Sequence, residues 1–304
     1  MPQGTGDIKR RIKSVKNTNK ITKAMELVSA AKMRKAVNGV MATRAYADLA
    51  WAMILRLVKK VDTDQHPFFR EAKKAKNVAV ILISTNRGLC GSFNAQLAQK
   101  VVESIKLHHP ESINTDIITF GSKGMEEARR KNLNLVADFP KNDITENSAD
   151  ILPIAHLLCQ DFVTQKYDKV FVAYMDFESS LKQVPHVKQL LPFSPHVDER
   201  LGHIAHEEKD NGEINIDQIA EFTFEPSREK ILDSFLPRLI ESQIYQAVLE
   251  SEASEHSARM FAMRNASDAA SDMINELTLI YNQARQANIT AEIAEISAGA
   301  SALE

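Results

Sequence analysis

The hydrophobic pattern near the N-terminus predicts a long amphipathic helix. Apolar residues recur every three or four positions, as expected for one face of an α-helix; the first are Ile8, Ile12, Val15, Ile21, Met25 and Val28. The pattern continues past Gly39 and stops before Pro67, because the residue preceding a proline is disfavoured in helical conformation. We therefore predict an N-terminal helix within residues 1–62.

The C-terminal region predicts a second long helix. Residues 238–298 contain neither Gly nor Pro over 61 positions, while Pro237 is expected to kink the first turns. The apolar residues follow alternating steps of four and three, as in a coiled coil; they are Met273, Leu277, Ile280, Ala284, Ala287, Ala291, Ala294 and Ala298. We expect this helix, within residues 216–304, to pair antiparallel with the N-terminal helix along this seam.

Between these helices the pattern changes to alternating strands and helices. Continuous apolar, β-branched runs are typical of buried parallel strands; the predicted strands are 77–84, 115–120, 133–137 and 169–175. The predicted helices are 93–108, 123–131 and 148–165. A run at 184–193 is predicted as an edge strand because Pro185 lacks a backbone N–H, and a further strand is predicted at 219–224.

This alternation predicts the fold class. Strands that alternate with helices form a parallel sheet covered on both faces. We expect an α/β protein in which a three-layer, Rossmann-like domain over residues 75–215 is inserted into a long antiparallel coiled coil of the two terminal helices.

Composition limits the function classes. Hydrophobic residues make up 44% and charged residues 26% of the 304 positions, which is typical of a folded domain. The net charge is −2, so overall electrostatics do not favour nucleic-acid binding. The longest apolar run, residues 78–83, is far shorter than the ~20 residues of a membrane-spanning helix. Membrane association is therefore expected only through partners.

The two ends of the chain carry opposite charge. Residues 1–35 hold ten Lys/Arg against two acids, and residues 250–304 hold nine acids against three arginines. Three interpretations are open: a solvated basic face, a helix that binds nucleic acid or anionic lipid, or complementary pairing within the chain together with an acidic external partner. The acidic C-terminal excess favours the third.

No catalytic, cofactor or metal site is predicted. The loop at residues 85–94 lies between a strand and a helix, where phosphate-binding loops occur, but it lacks the P-loop lysine, and Gly88 and Gly91 do not fit the dinucleotide fingerprint. A structural or partner-contact turn is favoured. Cys90 has no nearby histidine to act as a base, and His203 and His206 lack further ligands for a metal.

Several longer motifs resemble one known family. They occupy residues 21–35, 84–91, 241–245, 253–264 and 281–293. In this order and at this spacing they closely resemble the γ subunits of F-type ATP synthases. No organellar transit peptide precedes the matching region, which favours a bacterial enzyme.

The resemblance implies a non-catalytic rotor. In that family the paired helices form the central shaft inside a hexamer of α and β subunits, and the α/β domain forms a foot that meets the ε subunit and the membrane ring of c subunits. One copy couples proton flow to ATP synthesis or hydrolysis at β-subunit sites. The implied location is the cytoplasmic face of the inner membrane. The alternatives are an α/β nucleotide-binding protein and a basic-helix adaptor.

The resemblance also implies specific contact residues. Those expected to couple the shaft to the acidic β-subunit levers, or to brace the N-terminal helix, are Lys23, Met25, Arg87, Leu89, Cys90, Glu255, Arg259, Arg285, Gln286, Thr290 and Glu292. An apolar bearing tip is implied at Ile293, Ile296, Ala300 and Leu303. Foot contacts with ε and the c subunits are implied at Phe222, Phe224 and Glu225.

Overall fold

A computed structural model describes residues 5–58, 66–72, 75–108, 114–145, 147–193 and 228–301. Its helices are α1 (Thr5–Val58), α2 (Phe93–His108), α3 (Ser122–Arg130), α4 (Leu152–Val163) and α5 (Arg228–Ser301). Its strands are β1 (Asn77–Ile83), β2 (Asn114–Phe120), β3 (Asn134–Phe139), β4 (Lys169–Phe177) and β5 (Gln183–Leu191). The predicted long helices and five of the predicted strands are confirmed. The predicted strand at 219–224 lies outside the described residues.

The chain divides into two compact units. The first, here called the helical unit, takes Met1–Ser29 and Arg259–Glu304, and the second, the sheet unit, takes Ala30–Ala258. The three-segment division expected from sequence stays a prediction, because residues 62 and 215 both lie outside the described ranges.

The sheet unit contains a five-stranded sheet in the order β3-β2-β1-β4-β5. The first four strands are parallel, and β5 runs antiparallel to β4 with Pro185 opposite Met175. From β1, strands β2 and β3 follow toward one edge of the sheet, whereas β4 lies on the other side of β1. The strand order therefore reverses beside β1, which is where open α/β sheets commonly place functional loops.

Helices cover both faces of this sheet. Alternate β1 residues point to opposite sides, so that Val80 packs against α2 residues such as Leu97, while Ile81 packs with Leu158 of α4. The α4 face also buries the apolar residues Ala50, Ile54 and Leu57 of α1 and Leu232, Leu236, Ile240, Ile244 and Val248 of α5. Burial on both faces explains why β1 is an uninterrupted apolar run, and the predicted three-layer α/β fold is confirmed.

In the helical unit, α1 and α5 pair antiparallel through polar side chains. Asn19 Nδ2 donates to the Ser267 carbonyl at 2.7 Å, and the Thr22 and Ser267 hydroxyls are 2.7 Å apart. Glu26, further along α1, contacts Arg264, which precedes Ser267 on α5. The predicted pairing direction is confirmed, but the contact is made largely by side chains that the hydrophobic pattern does not single out.

The inward-facing stripe of α1 follows the prediction at Ile8, which is buried, but differs from it over residues 21–29. Thr22, Glu26 and Ser29 are buried, whereas Ile21 and Val28 of the predicted apolar stripe are exposed. These three buried positions follow helical spacing of four and three, so they form one face. The small hydroxyl side chains that α5 presents accept polar neighbours, and this face turns inward instead of the more apolar one.

The predicted alanine seam is also different in the structure. Leu277 is buried, but Ala287, Ala291, Ala294 and Ala298 are exposed. Antiparallel helices advance at the same rise per residue, and Asn19 already meets Ser267 and Ser271. The alanines therefore lie past the first described turn of α1 and do not pair with it.

Within the described ranges, no helix has the length and apolar character needed to cross a membrane.

Gly121 provides a test of how β1 and β2 end. Its φ is +109°, and a Cβ there would lie 2.5 Å from the Ser84 carbonyl oxygen. Gly121→Ala is expected to lower the free energy of unfolding by roughly 2–4 kcal/mol, because it adds a clash with backbone to an unfavourable φ. Urea unfolding of the full-length chain measures this.

Gly88→Ala is the matched control, since a Cβ at Gly88 would meet nothing within 4 Å. It should change the free energy of unfolding by no more than about 0.5 kcal/mol. Equal effects of the two substitutions would contradict the proposed close approach at Gly121.

Candidate functional site

One candidate contact surface lies on α1 in the helical unit. The Lys23 side chain is 58% exposed and Met25 is half-buried. Ile21, Leu27 and Val28, which flank them, are all exposed. Helical spacing places Ile21, Met25 and Val28 on one side of α1 and Lys23 with Leu27 on another. Several exposed large apolar side chains within two helical turns are typical of a protein-contact surface rather than of a solvated helix face. We call residues 21–28 the α1 contact patch.

Glu26 holds Lys23 in this patch. The Glu26 carboxylate accepts hydrogen bonds from Lys23 Nζ at 2.8 Å and from Arg264 Nε at 3.0 Å. The hydrogen bond from Lys23 lowers the pKa of Glu26. Burial of the Glu26 carboxylate raises this pKa, but by less than Lys23 and Arg264 together lower it. Glu26 thus remains ionised and connects α1 with α5.

The ion pair between Glu26 and Arg264 does not follow the charge asymmetry of the two ends. The cross-helix ion pair joins an acid of the basic helix to an arginine of the acidic helix. The basic side chains of the first turns point to solvent instead; Lys9, Arg10, Arg11, Lys13, Lys16 and Lys20 are exposed. Arg10 pairs with Asp7 on the same helix, and the charge of the other five is available to an external partner.

The remaining predicted residues of the helical unit lie on α5. Arg259 is buried, while Arg285, Gln286, Thr290 and Glu292 are exposed. The Thr290 hydroxyl donates to the Gln286 carbonyl at 2.9 Å within the helix. Ile293 and Ile296 of the predicted apolar tip are exposed. The side chain of Ala300, and residues Leu303, Phe222, Phe224 and Glu225, lie outside the described residues.

A second candidate contact surface is the loop at the carboxyl end of β1. We call residues 85–91 the contact loop. Leu89 is exposed at a φ of +63°, Arg87 is exposed beside it, and the Cys90 thiol is buried. The Asn94 side chain accepts from the Thr85 amide at 3.1 Å and donates to its hydroxyl at 2.8 Å. These bonds close the loop at its base and leave Leu89 at its surface.

Glu255 is bound internally in the sheet unit. Its carboxylate lies 3.1 Å from Lys141 Nζ, and Glu252 lies 3.8 Å from the same ammonium. The side chains of Lys141 and Glu252 are 2% and 0% exposed. Sequence analysis did not find Lys141, Glu252 or the contact of Glu252 with Thr145, because residues this far apart carry no shared motif.

This ion cluster argues against a nucleotide site at the contact loop. Nucleotide phosphates bind at the carboxyl ends of strands in open α/β sheets, where backbone N–H groups and cations face them. Lys141 Nζ lies 3.5 Å from the Ser84 carbonyl at the end of β1, but it is shared with two carboxylates. The positive charge of Lys141 is therefore balanced by α5 and offers little attraction to a phosphate at the contact loop.

Neither cysteine has the surroundings of a nucleophile. Burial raises the pKa of Cys159 to about 12, so the reactive thiolate is scarce at neutral pH. Cys90 Sγ contacts Asn94 Nδ2 at 3.7 Å and the Arg87 carbonyl at 4.0 Å, neither of which is a base. Among the described residues, no group of three or more His, Cys, Asp or Glu side chains is arranged to hold a metal ion.

The structure thus places the predicted contact residues in two groups. Lys23, Met25, Arg259 and the exposed α5 residues belong to the helical unit. Arg87, Leu89, Cys90 and Glu255 belong to the sheet unit. Each unit combines exposed predicted residues with an internally paired carboxylate, Glu26 in the helical unit and Glu255 in the sheet unit.

Comparison of solved structures supports the same fold. A chain from the cryo-EM structure of Euglena gracilis mitochondrial ATP synthase has a TM-score of 0.64 at 17% identity and covers 98% of this chain and 94% of its own length. A chain from the central stalk and c-ring of Tetrahymena thermophila mitochondrial ATP synthase has a TM-score of 0.58 at 24% identity. It covers 81% of this chain and 99% of its own.

Sequence comparison extends over nearly the whole chain. The ATP synthase gamma chain of Roseiflexus castenholzii is 41% identical over 300 residues, 98% of both proteins. That of Herpetosiphon aurantiacus is 41% identical over 304 residues, again 98% of both. Residues 4–303 match the ATP synthase family model. With similarity of this extent, the chain belongs to the ATP synthase γ-chain family.

Proposed function

We propose that this chain is the rotating central-stalk subunit of an F-type, proton-translocating ATP synthase. The observation that carries the proposal is the similarity to γ chains over almost the full sequence. In this role the chain transmits torque and performs no chemistry itself, since the nucleotide sites belong to β subunits.

The proposed partners are the α and β subunits of the hexamer, the ε subunit and the membrane c-ring, with one copy of this chain per complex. Nucleic acid is not a partner, and the membrane is reached only through the other subunits. The proposed location is the cytoplasmic face of the bacterial inner membrane.

The α1 contact patch is the proposed site of contact with acidic β-subunit levers. Lys23 supplies an exposed positive charge, and Met25 supplies a half-buried apolar side chain two positions further along the helix. The contact extends to the exposed α5 residues Arg285, Gln286, Thr290 and Glu292. Arg259 braces α1 from inside the helical unit. The apolar bearing surface consists of Ile293 and Ile296 with Ala300 and Leu303. A rotating bearing favours apolar contacts because directional hydrogen bonds would have to break during each turn.

The contact loop and the foot complete the proposal. Arg87, Leu89 and Cys90 lie on a loop closed at its base by Asn94, which presents Leu89 to the β subunits. Phe222, Phe224 and Glu225 are proposed to contact ε and the c-ring.

The first prediction concerns assembly. Affinity purification of the native complex through a tag on this chain should recover α, β and ε subunits together with c subunits, with one copy of this chain for three α and three β subunits, the stoichiometry implied by the family resemblance. Quantitative mass spectrometry measures the ratio. Recovery of the chain without α and β would contradict the proposed function.

The second prediction concerns coupling at the α1 contact patch. Met25→Lys should leave assembly intact but lower the number of protons transported per ATP hydrolysed. An added attraction of about 1 kcal/mol to an acidic lever slows departure from the corresponding rotational position roughly fivefold. Part of the ATP is then hydrolysed without the rotation that transports protons. Membrane vesicles that report ATP hydrolysis and proton transport together measure the ratio.

Met41→Lys is the control for Met25→Lys. Met41 is an exposed methionine on the same helix and belongs to the sheet unit, so the same charge is added away from the patch. Unchanged proton transport per ATP in Met25→Lys, or an equal loss in both variants, would contradict the role of Met25.

The third prediction concerns the pH dependence of the Glu26 contact. The pKa of Glu26 is lowered in the folded chain from 4.5, so its stabilising effect is complete above about pH 4.5 and is lost as the pH falls through the folded pKa. Glu26→Gln should therefore lower the free energy of unfolding at pH 7 by roughly 1 kcal/mol, a low value because half-exposed Lys23 and Arg264 are screened by solvent. The difference from the unsubstituted chain should shrink as the pH falls below about 4.5.

Urea unfolding at a series of pH values measures the free energy of unfolding of Glu26→Gln and of the unsubstituted chain. Glu126→Gln serves as the control for this measurement. It removes an exposed ion pair with Lys123 in α3, which should contribute only a few tenths of a kcal/mol. A difference between Glu26→Gln and the unsubstituted chain that stays constant between pH 7 and roughly pH 3 would contradict the ionised Glu26 contact.

A further inference from the structure

A short segment after β3 connects three elements of the sheet unit. We call residues 141–145 the anchor segment. Toward the contact loop, Asn86 Nδ2 donates to the Lys141 carbonyl at 2.6 Å, and Asp143 lies 3.7 Å from the Arg87 guanidinium. Toward α1, Asp143 accepts from Lys32 Nζ at 3.3 Å. The segment therefore bonds to both the base and the surface of the contact loop.

The anchor segment is itself held by α5. The Thr145 hydroxyl donates to the Glu252 carboxylate at 2.6 Å, and the Thr145 amide donates to the same carboxylate at 3.1 Å. Lys141 Nζ donates to Glu255 at 3.1 Å. Glu252 and Glu255, three residues apart on one face of α5, thus bind the two ends of this five-residue segment.

Burial makes this arrangement specific. Burial raises the pKa of Glu252, while Lys141 and the two Thr145 hydrogen bonds oppose the shift. Buried ion clusters stabilise a fold no better than apolar side chains of similar volume, but they accept only one geometry, because a displaced partner leaves an unpaired charge in the interior. A cluster of this kind defines a position more than it adds stability.

The contact loop has a property that requires such positioning. Leu89 and Gly91 both have positive φ, at +63° and +62°, and Leu89 is exposed at the surface. A non-glycine residue in that region is held there by its surroundings rather than by its own preference. The hydrogen bond from Asn86 to the Lys141 carbonyl and the ion pair at Arg87 flank Leu89 on the N-terminal side.

We propose that Lys141, Thr145 and Glu252 are positioning residues, which fix the contact loop to α5 through the anchor segment so that Leu89 and Arg87 meet their partner in one orientation. This inference rests on the proposed function for the statement that the partner is a β subunit. The physical claim, that the anchor segment holds the loop, is independent of it.

Cys90 is a built-in reporter for the anchored loop. Its thiol is 3% exposed at the end of the contact loop, so a maleimide can react with it only when the loop opens. Cys159 lies in α4 on the opposite face of the sheet and is also buried. Local loosening of the loop accelerates labelling of Cys90 alone, whereas general destabilisation accelerates both.

The experiment measures the two labelling rates on the purified full-length chain by peptide mass spectrometry. Thr145→Val removes the hydroxyl donor with little change of shape, and Thr145→Ser retains it. Lys141→Met combined with Glu252→Gln removes one positive and one negative charge together, so that the cluster keeps its net charge. Lys106→Met, at an exposed position of α2, is the matched control for loss of a lysine.

Thr145→Val and the Lys141→Met/Glu252→Gln pair should accelerate Cys90 labelling about tenfold, which corresponds to roughly 1.4 kcal/mol of loop opening. Cys159 labelling should change less than twofold, and Thr145→Ser and Lys106→Met should match the unsubstituted chain. An unchanged Cys90 rate in both loop variants, or parallel acceleration of Cys159, overturns the proposal.

The same variants in the assembled complex separate this inference from the proposed function. Lower proton transport per ATP in Thr145→Val, restored in Thr145→Ser, supports positioning for coupling. Faster Cys90 labelling with unchanged proton transport would leave the anchor established and overturn its role in coupling. Failure of the complex to form around the unsubstituted chain would contradict the proposed function alone.

Discussion

A carboxylate removed from water must find a cation or several hydrogen-bond donors, and both units of this chain are organised around that requirement. In the helical unit Glu26 receives Lys23 and Arg264. In the sheet unit Glu252 and Glu255 receive Lys141 and Thr145. Because an unpaired buried charge costs several kcal/mol, each carboxylate restricts its neighbours to positions that satisfy it. The exposed residues proposed to meet partner subunits lie beside these restricted neighbours in each unit.

This arrangement differs from an apolar interface in what it permits. Leucine and isoleucine surfaces can slide over one another at little cost, because dispersion contacts lack direction. The contacts between α1 and α5 at Asn19, Thr22 and Ser267 do not allow such sliding, because each depends on a particular hydrogen bond. The pairing of the two helices is thereby fixed in register, while the exposed apolar side chains at Ile293 and Ile296 are left for contacts without direction.

Local patterns were sufficient to predict the two long helices, the five strands of the sheet and the fold class. The apolar run at β1 and the proline of β5 specify a buried and an edge strand from the residues themselves. The inward face of α1 could not be predicted in the same way. Helical period groups Ile21 with Met25 and Val28 but does not say which face turns inward, and the choice depends on the serines that α5 presents.

The candidate site divides along the same line. The α1 contact patch and the contact loop are continuous in sequence, so the family motifs include them. The anchor is different: Thr145 and Glu252 are 107 positions apart, and lysine, threonine and glutamate are ordinarily solvent-exposed residue types. Only the fold brings them together.

The exposed Ile21, Leu27 and Val28 of α1 have a consequence for the life of the chain in the cell. A newly synthesised copy that is not yet assembled with its partners exposes apolar surface of the kind that chaperones and proteases recognise. Copies made in excess would be removed, and the amount of this chain would follow the supply of the subunits that cover it.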